Sequence, residues 1–446
     1  MLSKIENHLT INLPFLKDKK LLIAVSGGID SNVLIALFHE LKYDISMAHC
    51  NFHLRGKESV LDEESLKKIA ADLNIVFHSI SFETEAYAKK RKISIQLAAR
   101  ELRYDWFEKI KTEKSYDYIL TAHHKNDVLE TFLINFTRGT GLDGLTSIPT
   151  INGAIVRPLL PFTRDEILKY ALDNNIAWRE DESNASIKYA RNKIRHQVIP
   201  VLQELNPNLL NTFEHTLEHL KGSQQLIANT VSNLREKVIS AKGDILQISI
   251  EEIKKMSVPK PYLFELLKPY NFKEWDDVFH LLNAQSGKQI FSKTHRLLKD
   301  RKFLFLTEID TKSNPTSYTL KEFVSEYLTH DLKLEFSIKS YSASRKNQKN
   351  KVFIDADTVK FPLIMRKWKN GDIFTPLGFR GKKKLSDYFK DEKMSLIEKE
   401  RTWILTNTKN EIIWILGKRI DDKFKTTSNT EHMIELSCSM RKKLLE

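Results

Sequence analysis

The sequence predicts an α/β protein with a parallel, doubly wound sheet, followed by a mainly helical middle domain and a small α+β domain. Leu21–Val25 is a short, continuous apolar run, which is typical of a strand buried on both faces. Similar runs alternate with segments of helical periodicity in the first part of the chain, and this alternation favours parallel strands joined by helices. The polar motifs of this part follow the ends of predicted strands, where such sheets bind ligands.

The elements of the first domain are predicted in chain order. After Leu21–Val25 the predicted strands are Tyr43–Cys50, Ile75–Phe82 and Tyr118–Ala122. The predicted helices are Asn32–Glu40, Glu58–Leu73 and Ser94–Ile110. A chain of 446 residues has room for two or three cores of ordinary size. We predict a first domain over residues 1–205, a mainly helical domain over 206–312, a flexible linker over 313–351 and a basic α+β domain over 352–446.

The charge balance favours a polyanionic partner. The formal net charge is +13 and the sequence pI is about 9.3. Basic residues outnumber acidic ones between residues 361 and 425, and aromatic residues are interleaved with them. Such a stretch is typical of an RNA-facing surface, although a solvated basic face is the alternative.

Composition also argues against several other classes of protein. No apolar run is long enough to cross a bilayer, and the first ten residues contain no apolar signal segment, so we predict no membrane partner. Cys50 and Cys438 are the only cysteines and do not form a C-x-x-C pair. Neither a disulfide framework nor a cysteine metal site is indicated, and a reducing, cytoplasmic location fits best.

A glycine turn follows the first predicted strand. Ser26, Gly27 and Gly28 can bring backbone N–H groups close to an anion, and Ile29, Asp30 and Ser31 lie between this turn and the predicted helix Asn32–Glu40. A glycine turn at a helix N-terminus predicts a phosphate site. The turn has neither the lysine of G-x-x-x-x-G-K-[ST] nor the spacing of G-x-G-x-x-G, so neither common nucleotide motif fits. An ordinary strand-to-helix turn is the alternative.

Two further motifs carry groups that could bind a base or a phosphate. His49, Asn51, His53 and Arg55 cluster at the end of the second predicted strand, where an arginine can bind a phosphate with two hydrogen bonds. Loop histidines with ordinary hydrogen bonds are the alternative. A second set, Arg100, Arg103 and Tyr104, has the spacing of one helix face, and its alternative is a solvated stripe.

Carboxylates and a pair of arginines complete the candidate site. His123 and His124 end a predicted strand, and Asp127, Glu130 and Thr131 lie in the first turns of the next helix. Adjacent histidines do not share a helix face, so zinc is not indicated, whereas a carboxylate beside a triphosphate can hold Mg²⁺.

The arginine pair lies further along the chain. Arg191 and Arg195 are four residues apart with Asn192 between them. Like charges at this spacing repel each other unless an anion or an acid lies between them, so the pair predicts such a partner.

The order of these motifs resembles that of the tRNA(Ile)-lysidine synthases. The matching segments are SGGIDS, HCNFHLR, AARELRY, TAHHKNDVLET, RGTGLDGL, RPLLPFTR, SN and RNKIR, and the later chain also resembles the carboxyl-terminal tRNA-contacting domain of that family. The SGGIDS segment is similar to the pyrophosphate loop of the N-type ATP pyrophosphatases. The resemblance implies a Rossmann-like PP-loop ATPase domain and a ligase that joins L-lysine to C2 of the wobble cytidine in a CAU-anticodon isoleucine tRNA. ATP would first adenylate the cytidine O2, and the lysine ε-amine would then displace AMP.

The resemblance also implies roles for individual residues. The ATP-binding residues would be Ser26, Gly27, Gly28, Ile29, Asp30 and Ser31, and the Mg²⁺ ligands would be Asp30 and Asp127. The catalytic residues would be Asp30, Asp127, Arg100, Arg103, Arg191, Arg195 and His53. The tRNA-binding or substrate-binding residues would be His49, Asn51, Arg55, Tyr104, His123, Asn192, Arg366, Lys382, Lys383 and Lys384. Many relatives have two adjacent aspartates where this chain has Asn126 and Asp127, and often an acid at Gln96, so one metal ligand is in doubt.

Two other functions stay open at this stage. Thiolation of RNA could use the same loop, but it commonly needs catalytic cysteines, and only Cys50 and Cys438 are available. The second alternative is a non-catalytic RNA-binding protein whose glycine turn no longer supports catalysis. The sequence leaves open the oligomeric state, a homodimer included.

Overall fold

A computed structural model describes residues 1–54, 56–146, 148–179, 190–309, 315–330 and 332–440. The chain forms two compact units, residues 1–229 and 230–446. The division falls within one long helix, Leu209–Val238. Arg55, which we predict to bind substrate, lies outside the described residues.

The first unit is built from strands and helices that largely alternate. Its helices are α1 (Leu2–Asn12), α2 (Ile29–Glu40), α3 (Lys57–Asp72), α4 (Thr84–Arg91), α5 (Ile95–Lys114), α6 (Lys125–Arg138), α7 (Leu142–Leu145), α8 (Arg164–Asp173), α9 (Ala190–Lys193), α10 (Ile199–Leu205) and α11 (Leu209–Val238). Its strands are β1 (Leu21–Val25), β2 (Ile45–Asn51), β3 (Val76–Ser81), β4 (Tyr118–Leu120), β5 (Ile151–Asn152) and β6 (Ile155–Val156). A π-helical turn at Ile194–Val198 joins α9 to α10.

The sheet of this unit confirms the predicted parallel, doubly wound fold. Its strand order is β3-β2-β1-β4-β6-β5. All neighbours are parallel except β5 and β6, which form a short antiparallel edge. The chain moves outward from β1 through β2 to β3 and then returns to the other side of β1 with β4. The carboxyl ends of β1 and β4 therefore flank the point at which the strand order reverses, where ligands bind in such folds.

The core explains why the first strand is continuously apolar. Leu21, Leu22 and Ile23 are fully buried, because helices cover both faces of β1. The helix α2 follows the glycine turn and buries Val33, Leu34, Leu37 and Phe38 against the same core. The position of the turn is therefore fixed by packing on both sides of it.

The second unit is a mixture of short helices and antiparallel sheets. Its helices are α12 (Ile250–Lys255), α13 (Pro259–Leu267), α14 (Trp275–His280), α15 (Leu385–Asp391) and α16 (Leu396–Arg401). Its first strands are β7 (Ile239–Lys242), β8 (Ile245–Ser249), β9 (Gln289–Phe291), β10 (His295–Asp300) and β11 (Phe303–Glu308), which form one sheet in the order β7-β8-β11-β10-β9. The predicted mainly helical domain over 206–312 therefore also contains a sheet.

The remaining strands of the second unit form three sheets. The strands are β12 (Ser317–Leu320), β13 (Glu326–Leu328), β14 (Leu332–Ser340), β15 (Lys351–Asp355), β16 (Leu363–Lys367), β17 (Ile373–Phe374), β18 (Lys383–Lys384), β19 (Trp403–Thr406), β20 (Ile412–Ile415) and β21 (His432–Met440). The sheets have the orders β12-β16-β19-β20, β13-β14-β21-β15 and β17-β18. Trp414, Leu405 and Phe424 lie in the core of this region.

The described part of the predicted linker over 313–351 contains three strands, β12, β13 and β14. Strand β12 pairs with β16, and β14 pairs along its whole length with β21. The alternating pattern of β14, in which Leu332, Leu334 and Phe336 are buried, was hidden by the polar residues between them. Among the described residues, no helix is both long and apolar enough to cross a bilayer.

Replacing Ile23 by alanine tests the role of β1 in the fold. Ile23 is 0% exposed in the central strand, whereas Ile11 on α1 is 75% exposed. We expect Ile23→Ala to lower the free energy of unfolding by about 2–5 kcal/mol in urea titrations, because it leaves a cavity in the core. Ile11→Ala is the matched control and should change stability by less than about 0.5 kcal/mol. Equal effects of the two substitutions would contradict this account of the core.

Candidate active site

The glycine turn closes a small anion cradle at the end of β1. Gly27 has φ +84°, a conformation that other residues adopt only with strain. The Ser31 hydroxyl donates to the Gly28 carbonyl at 2.9 Å, and the Ser26 N–H donates to the Ser31 hydroxyl at 3.3 Å. These two bonds hold the turn against the first residues of α2.

The cradle is open to a ligand. The N–H groups of Ile29, Asp30 and Ser31 lie in the first turn of α2, where a helix offers no acceptor for them. Ser26 is exposed, and Gly28 and Asp30 are half-buried, so the turn reaches solvent. Free N–H groups at the positive end of a helix favour a phosphate ligand. The geometry fits the predicted phosphate site.

Contacts from a distant segment support the cradle, and sequence reasoning missed them. The Arg179 N–H donates to the Gly27 carbonyl at 3.2 Å, and the Asn32 amide donates to the Ala177 carbonyl at 2.9 Å. The Arg179 guanidinium pairs with Glu58 and lies 3.3 Å from Asp62. These contacts join segments far apart in sequence, so no local pattern could reveal them.

Asp30 presents an unsatisfied oxygen to the site. Its Oδ1 atom is buried and has no hydrogen-bond partner among the described residues, although His124 Nε2 lies 3.9 Å away. Its Oδ2 atom pairs with Arg164. A buried carboxylate oxygen without a partner is costly unless a cation or a donor occupies it. Asp30 therefore fits the role of a metal ligand.

Asp127 has a protein partner for each of its two carboxylate oxygens. Its Oδ2 atom accepts a hydrogen bond from the His124 N–H at 3.0 Å and caps α6, and its Oδ1 atom lies 3.1 Å from the Arg191 guanidinium. Burial opposes ionisation, but His124, Arg191 and His123 together hold the pKa of Asp127 below its usual value. Asp127 is thus a stable anion with limited capacity for a metal.

The predicted arginine pair has an acid between its members. Glu130, on the next turn of α6 after Asp127, is only 1% exposed. It accepts from Arg191 Nε at 2.6 Å and from Arg195 Nε at 2.6 Å. The predicted partner of the pair is therefore a protein carboxylate, and we did not assign Glu130 to the site. Its spacing of three residues from Asp127 on one helix was the available signal.

His123 is held as a neutral ring. Its Nδ1 atom lies 2.9 Å from the Thr121 hydroxyl. The pKa of His123 is lowered to about 4, mainly by burial and to a smaller extent by Arg157 and Arg191, against the opposing effect of Asp127. Arg157 is itself buried and donates to the Pro149 carbonyl at 2.7 Å. His123 can therefore bind a substrate as a neutral group.

Residues at the end of β2 point mostly into the protein. His49 Nδ1 lies 3.0 Å from the Val25 carbonyl, and burial lowers the pKa of this histidine. The Asn51 amide donates to Glu63 at 3.2 Å and accepts from the His53 N–H at 3.1 Å. His53 itself is exposed. His49 and Asn51 thus support the loop after β2, and their contact with substrate stays a prediction.

The arginine stripe of α5 lies on one helix face, as its spacing predicts. The Arg100 guanidinium lies 5.0 Å from the centre of the Tyr104 ring, and the Arg103 guanidinium lies 5.3 Å from the centre of the Phe52 ring. Both arginines are exposed. Tyr104 lies close to Arg157, which in turn lies near His123, so this face continues toward the surroundings of His123.

Asn126, a departure from the family pattern, and Asn192, a predicted substrate-binding residue, can now be placed in the structure. Asn126 accepts a hydrogen bond from the Arg164 N–H at 3.0 Å, so its side chain supports the start of α8. Asn192 lies in the short helix α9, beside Arg191.

One predicted tRNA-binding residue, Arg366, is buried and has an acidic partner. Arg366 is 6% exposed and makes two bonds to Asp372, at 2.9 and 2.7 Å. Such an internal ion pair leaves the guanidinium unavailable to a phosphate.

Lys382 and Lys384 are exposed, whereas Lys383 pairs with Asp391 and lies over the Phe379 ring. Among the described residues, no group of three or more histidine, cysteine, aspartate or glutamate side chains forms a metal cluster.

Three family models match this chain in order. They describe a PP-loop domain over residues 1–202, a TilS substrate binding domain over 241–309 and a TilS substrate C-terminal domain over 363–438. Proteins named tRNA(Ile)-lysidine synthase are similar over nearly the whole chain. The one from Parabacteroides distasonis is 40% identical over 423 residues, which cover 94% of this chain and 95% of that protein. The one from Bacillus subtilis is 30% identical over 426 residues, 90% of each chain.

Solved structures resemble separate parts of the chain. The U34-tRNA thiolase NcsA from Methanococcus maripaludis covers 49% of this chain and 78% of its own, with 19% identity and a TM-score of 0.40. A TilS C-terminal domain covers 28% of this chain and 98% of its own, with 20% identity and a TM-score of 0.26.

Replacing His123 by glutamine should remove part of the acid sensitivity of the fold. The pKa of His123 is about 4 in the folded protein and about 6.5 in an unfolded chain. Between these values the unfolded chain binds more protons, so stability falls as the pH drops. We expect the wild-type protein to lose on the order of 3 kcal/mol through this group between pH 7 and pH 4, and His123→Gln to lack that loss.

The measurement is urea unfolding at several pH values in that window. The exposed His215 on α11 supplies the control, because His215→Gln should follow the wild-type pH dependence. If the His123→Gln protein loses stability in parallel with the wild type, the account of a buried neutral ring fails.

Proposed function

The chain belongs to the tRNA(Ile)-lysidine synthase family, and from this premise we propose how its residues carry out the reaction. The protein is a ligase that forms lysidine in an isoleucine tRNA and uses ATP through its PP-loop domain. Free L-lysine is the proposed second substrate, and the cytoplasm, where tRNA and amino acids meet, is the proposed location. The observation that supports the proposal best is the open phosphate cradle of β1 and α2, which lies beside two carboxylates.

The first step activates the base. C2 of cytosine is a poor electrophile, and its oxygen is a poor leaving group. In the proposal the cytidine O2 attacks the α-phosphorus of ATP, a new P–O bond forms, and pyrophosphate leaves with the electrons of the broken bond. The residues Ser26–Ser31 hold the triphosphate through N–H groups and hydroxyls.

A magnesium ion is part of the proposal. Asp30 supports it best, because Oδ1 is a buried oxygen without a partner among the described residues. Mg²⁺ commonly binds one or two carboxylates together with substrate phosphates, so a single protein carboxylate is enough. Both oxygens of Asp127 already have partners, and Asp127 would act as a second ligand or through its charge. The ion would neutralise charge on the phosphates as pyrophosphate leaves.

The arginines would stabilise the remaining negative charge. Arg191 and Arg195 are anchored on Glu130, and each guanidinium is still partly exposed. A guanidinium held in place can stabilise developing charge at little cost in reorganisation, and the loss of one such donor costs about 3 kcal/mol. Arg100 and Arg103, on the exposed face of α5, would contact phosphates of the nucleotide or the tRNA.

The second step joins lysine to the base. The neutral ε-amine attacks C2, a C–N bond forms, and AMP leaves with the former O2 oxygen. The amine must lose a proton, and a useful base has a pKa near the working pH. His53 and Asp127 are the candidates for this base, and the lowered pKa of Asp127 makes it a weak base, which favours His53.

Selection of the correct tRNA needs contacts beyond the wobble base. Methionine tRNAs can carry the same CAU anticodon, so the base alone does not identify the substrate. In the proposal the exposed Lys382 and Lys384 of the second unit contact the tRNA backbone, which fixes its position.

Thiolation is the less favourable alternative. It would need a reactive thiolate, and burial raises the pKa of Cys50 to about 12 and that of Cys438 to about 11. A thiol with such a high pKa is almost entirely protonated at neutral pH and is a poor nucleophile.

Mass spectrometry of the tRNA product tests the proposal. The protein is incubated with ATP, Mg²⁺, L-lysine and a CAU-anticodon isoleucine tRNA. We expect the wobble cytidine to gain the mass of lysine less one water, with one AMP released for each modified base. A cytidine that stays unmodified, or that gains sulfur, would contradict the proposal. An initiator methionine tRNA with the same anticodon is the control and should stay unmodified.

Replacing Asp30 by asparagine tests the proposed metal ligand. Calorimetry should show that Mg²⁺ tightens ATP binding to the wild-type protein but has little effect on Asp30→Asn, and kcat should fall by about 100-fold or more. Asp44, exposed before β2, gives the control variant Asp44→Asn, which should behave as the wild type. If Mg²⁺ tightens ATP binding to Asp30→Asn as strongly as to the wild type, Asp30 is not the ligand.

A further inference from the structure

The proposed reaction leaves one arginine of the candidate active site without a role. Arg164 is the first residue of α8, and its guanidinium pairs with Asp30 Oδ2. The other oxygen of this carboxylate, Oδ1, is buried and has no hydrogen-bond partner among the described residues. A protein cation therefore already holds one side of the carboxylate that best supports Mg²⁺ binding.

The backbone of Arg164 is fixed on both sides. Its N–H donates to the Asn126 side chain at 3.0 Å, which ties it to the start of α6. The preceding residue, Thr163, accepts from the Glu166 N–H at 3.2 Å, and Glu166 Oε2 accepts from the Thr163 N–H at 2.9 Å. This reciprocal cap fixes the first turn of α8. Any movement of the positive charge is therefore confined to the Arg164 side chain.

The guanidinium of Arg164 is held less firmly than those of the arginine pair. The Arg164 side chain is 44% exposed, and that of its partner Asp30 is 25% exposed. Ion pairs that water can reach contribute little to stability, so the exchange of one partner costs little. Arg191 and Arg195, in contrast, both bind Glu130, whose side chain is 1% exposed. A pair with a buried carboxylate is costly to break, so of these three arginines Arg164 can change its partner most easily.

The ion pair lies beside the phosphate cradle. Asp30 is in the first turn of α2, and its own N–H is one of the three donors that have no acceptor in that helix. A phosphate bound to these donors is therefore within reach of a rotation of the Arg164 side chain. A guanidinium can give a phosphate two parallel hydrogen bonds, and a triphosphate carries several negative charges where Asp30 carries one.

A metal ion would favour this change of partner. A divalent cation on Asp30 Oδ1 would repel the Arg164 guanidinium and would reduce the attraction between the carboxylate and that guanidinium. Without a nucleotide, the metal ion and Arg164 therefore compete for one carboxylate. With ATP bound, the phosphates offer a partner to both cations, and the competition ends.

We propose that Arg164 is an exchangeable phosphate ligand, which pairs with Asp30 in the free protein and moves to the triphosphate when ATP and a divalent cation bind. The inference rests on the proposed metal site at Asp30. In the free protein Arg164 weakens metal binding, so the metal site is completed only together with ATP. In the complex its charge stabilises the phosphates as pyrophosphate leaves.

The test compares the full-length wild-type protein with Arg164→Gln by calorimetry. Mn²⁺ is the metal probe, because it prefers the same oxygen ligands as Mg²⁺. We expect Mn²⁺ alone to bind Arg164→Gln at least fivefold more tightly than wild type, because Asp30 loses its competing cation. We expect ATP with Mn²⁺ to bind at least tenfold more weakly, because the triphosphate loses a ligand. Lys169→Gln, at an exposed position of α8, is the matched control and should change neither affinity.

Two further variants and one ligand separate this role from a structural one. Adenosine has no phosphates, and Arg164→Gln should bind it within twofold of wild type, which also shows that the variant folds. Arg164→Lys keeps the charge without the paired hydrogen bonds and should recover part of the ATP affinity. The double variant Asp30→Asn, Arg164→Gln should lose the gain in Mn²⁺ affinity, which assigns that gain to Asp30.

An affinity for Mn²⁺ alone that is unchanged or weaker in Arg164→Gln would overturn the proposal. An unchanged affinity for ATP, or an equal loss of affinity for ATP and adenosine, would also overturn it. None of these measurements needs tRNA or lysine. Their failure is therefore distinguishable from failure of the proposed function, in which the wild-type protein would add no lysine to tRNA.

Discussion

Three backbone N–H groups at the start of α2 have no acceptor within their own helix, and they face the edge of the sheet where β1 ends. Their position is set by packing, because β1 is buried on both faces and α2 buries its apolar side in the same core. The positive φ of Gly27 permits the turn between them, and the Ser31 hydroxyl holds it closed. The other residues of the site lie around these three N–H donors.

The charges around the cradle have complementary tasks. Glu130 is buried between Arg191 and Arg195 and fixes both guanidinium groups, so their charge is available without a large loss of side-chain entropy on binding. Asp30 has one oxygen without a hydrogen-bond partner among the described residues, whereas the two oxygens of Asp127 bind the start of α6 and Arg191. The site therefore offers fixed positive charge to the triphosphate and a single open carboxylate to a metal ion.

Local patterns in the sequence predicted the parts of this arrangement that are formed locally. The apolar run of β1, the glycine turn and the shared face of Arg100 and Tyr104 depend on residues a few positions apart. The Arg179 contact to Gly27 joins residues more than a hundred positions apart and leaves no periodic signal. The ion pair between Arg366 and Asp372 was not predicted, because the two residues meet only after the chain turns. Strand β14 of the predicted linker was missed because its partner, β21, lies almost at the end of the chain.

Hydrogen exchange of the backbone amides, with and without ATP, tests the central claim most directly. If the start of α2 holds the triphosphate, ATP and Mg²⁺ should slow exchange most strongly in a peptide that contains Gly27–Ser31, with little change in the second unit. Protection that appears elsewhere while this peptide exchanges at its original rate would contradict the account.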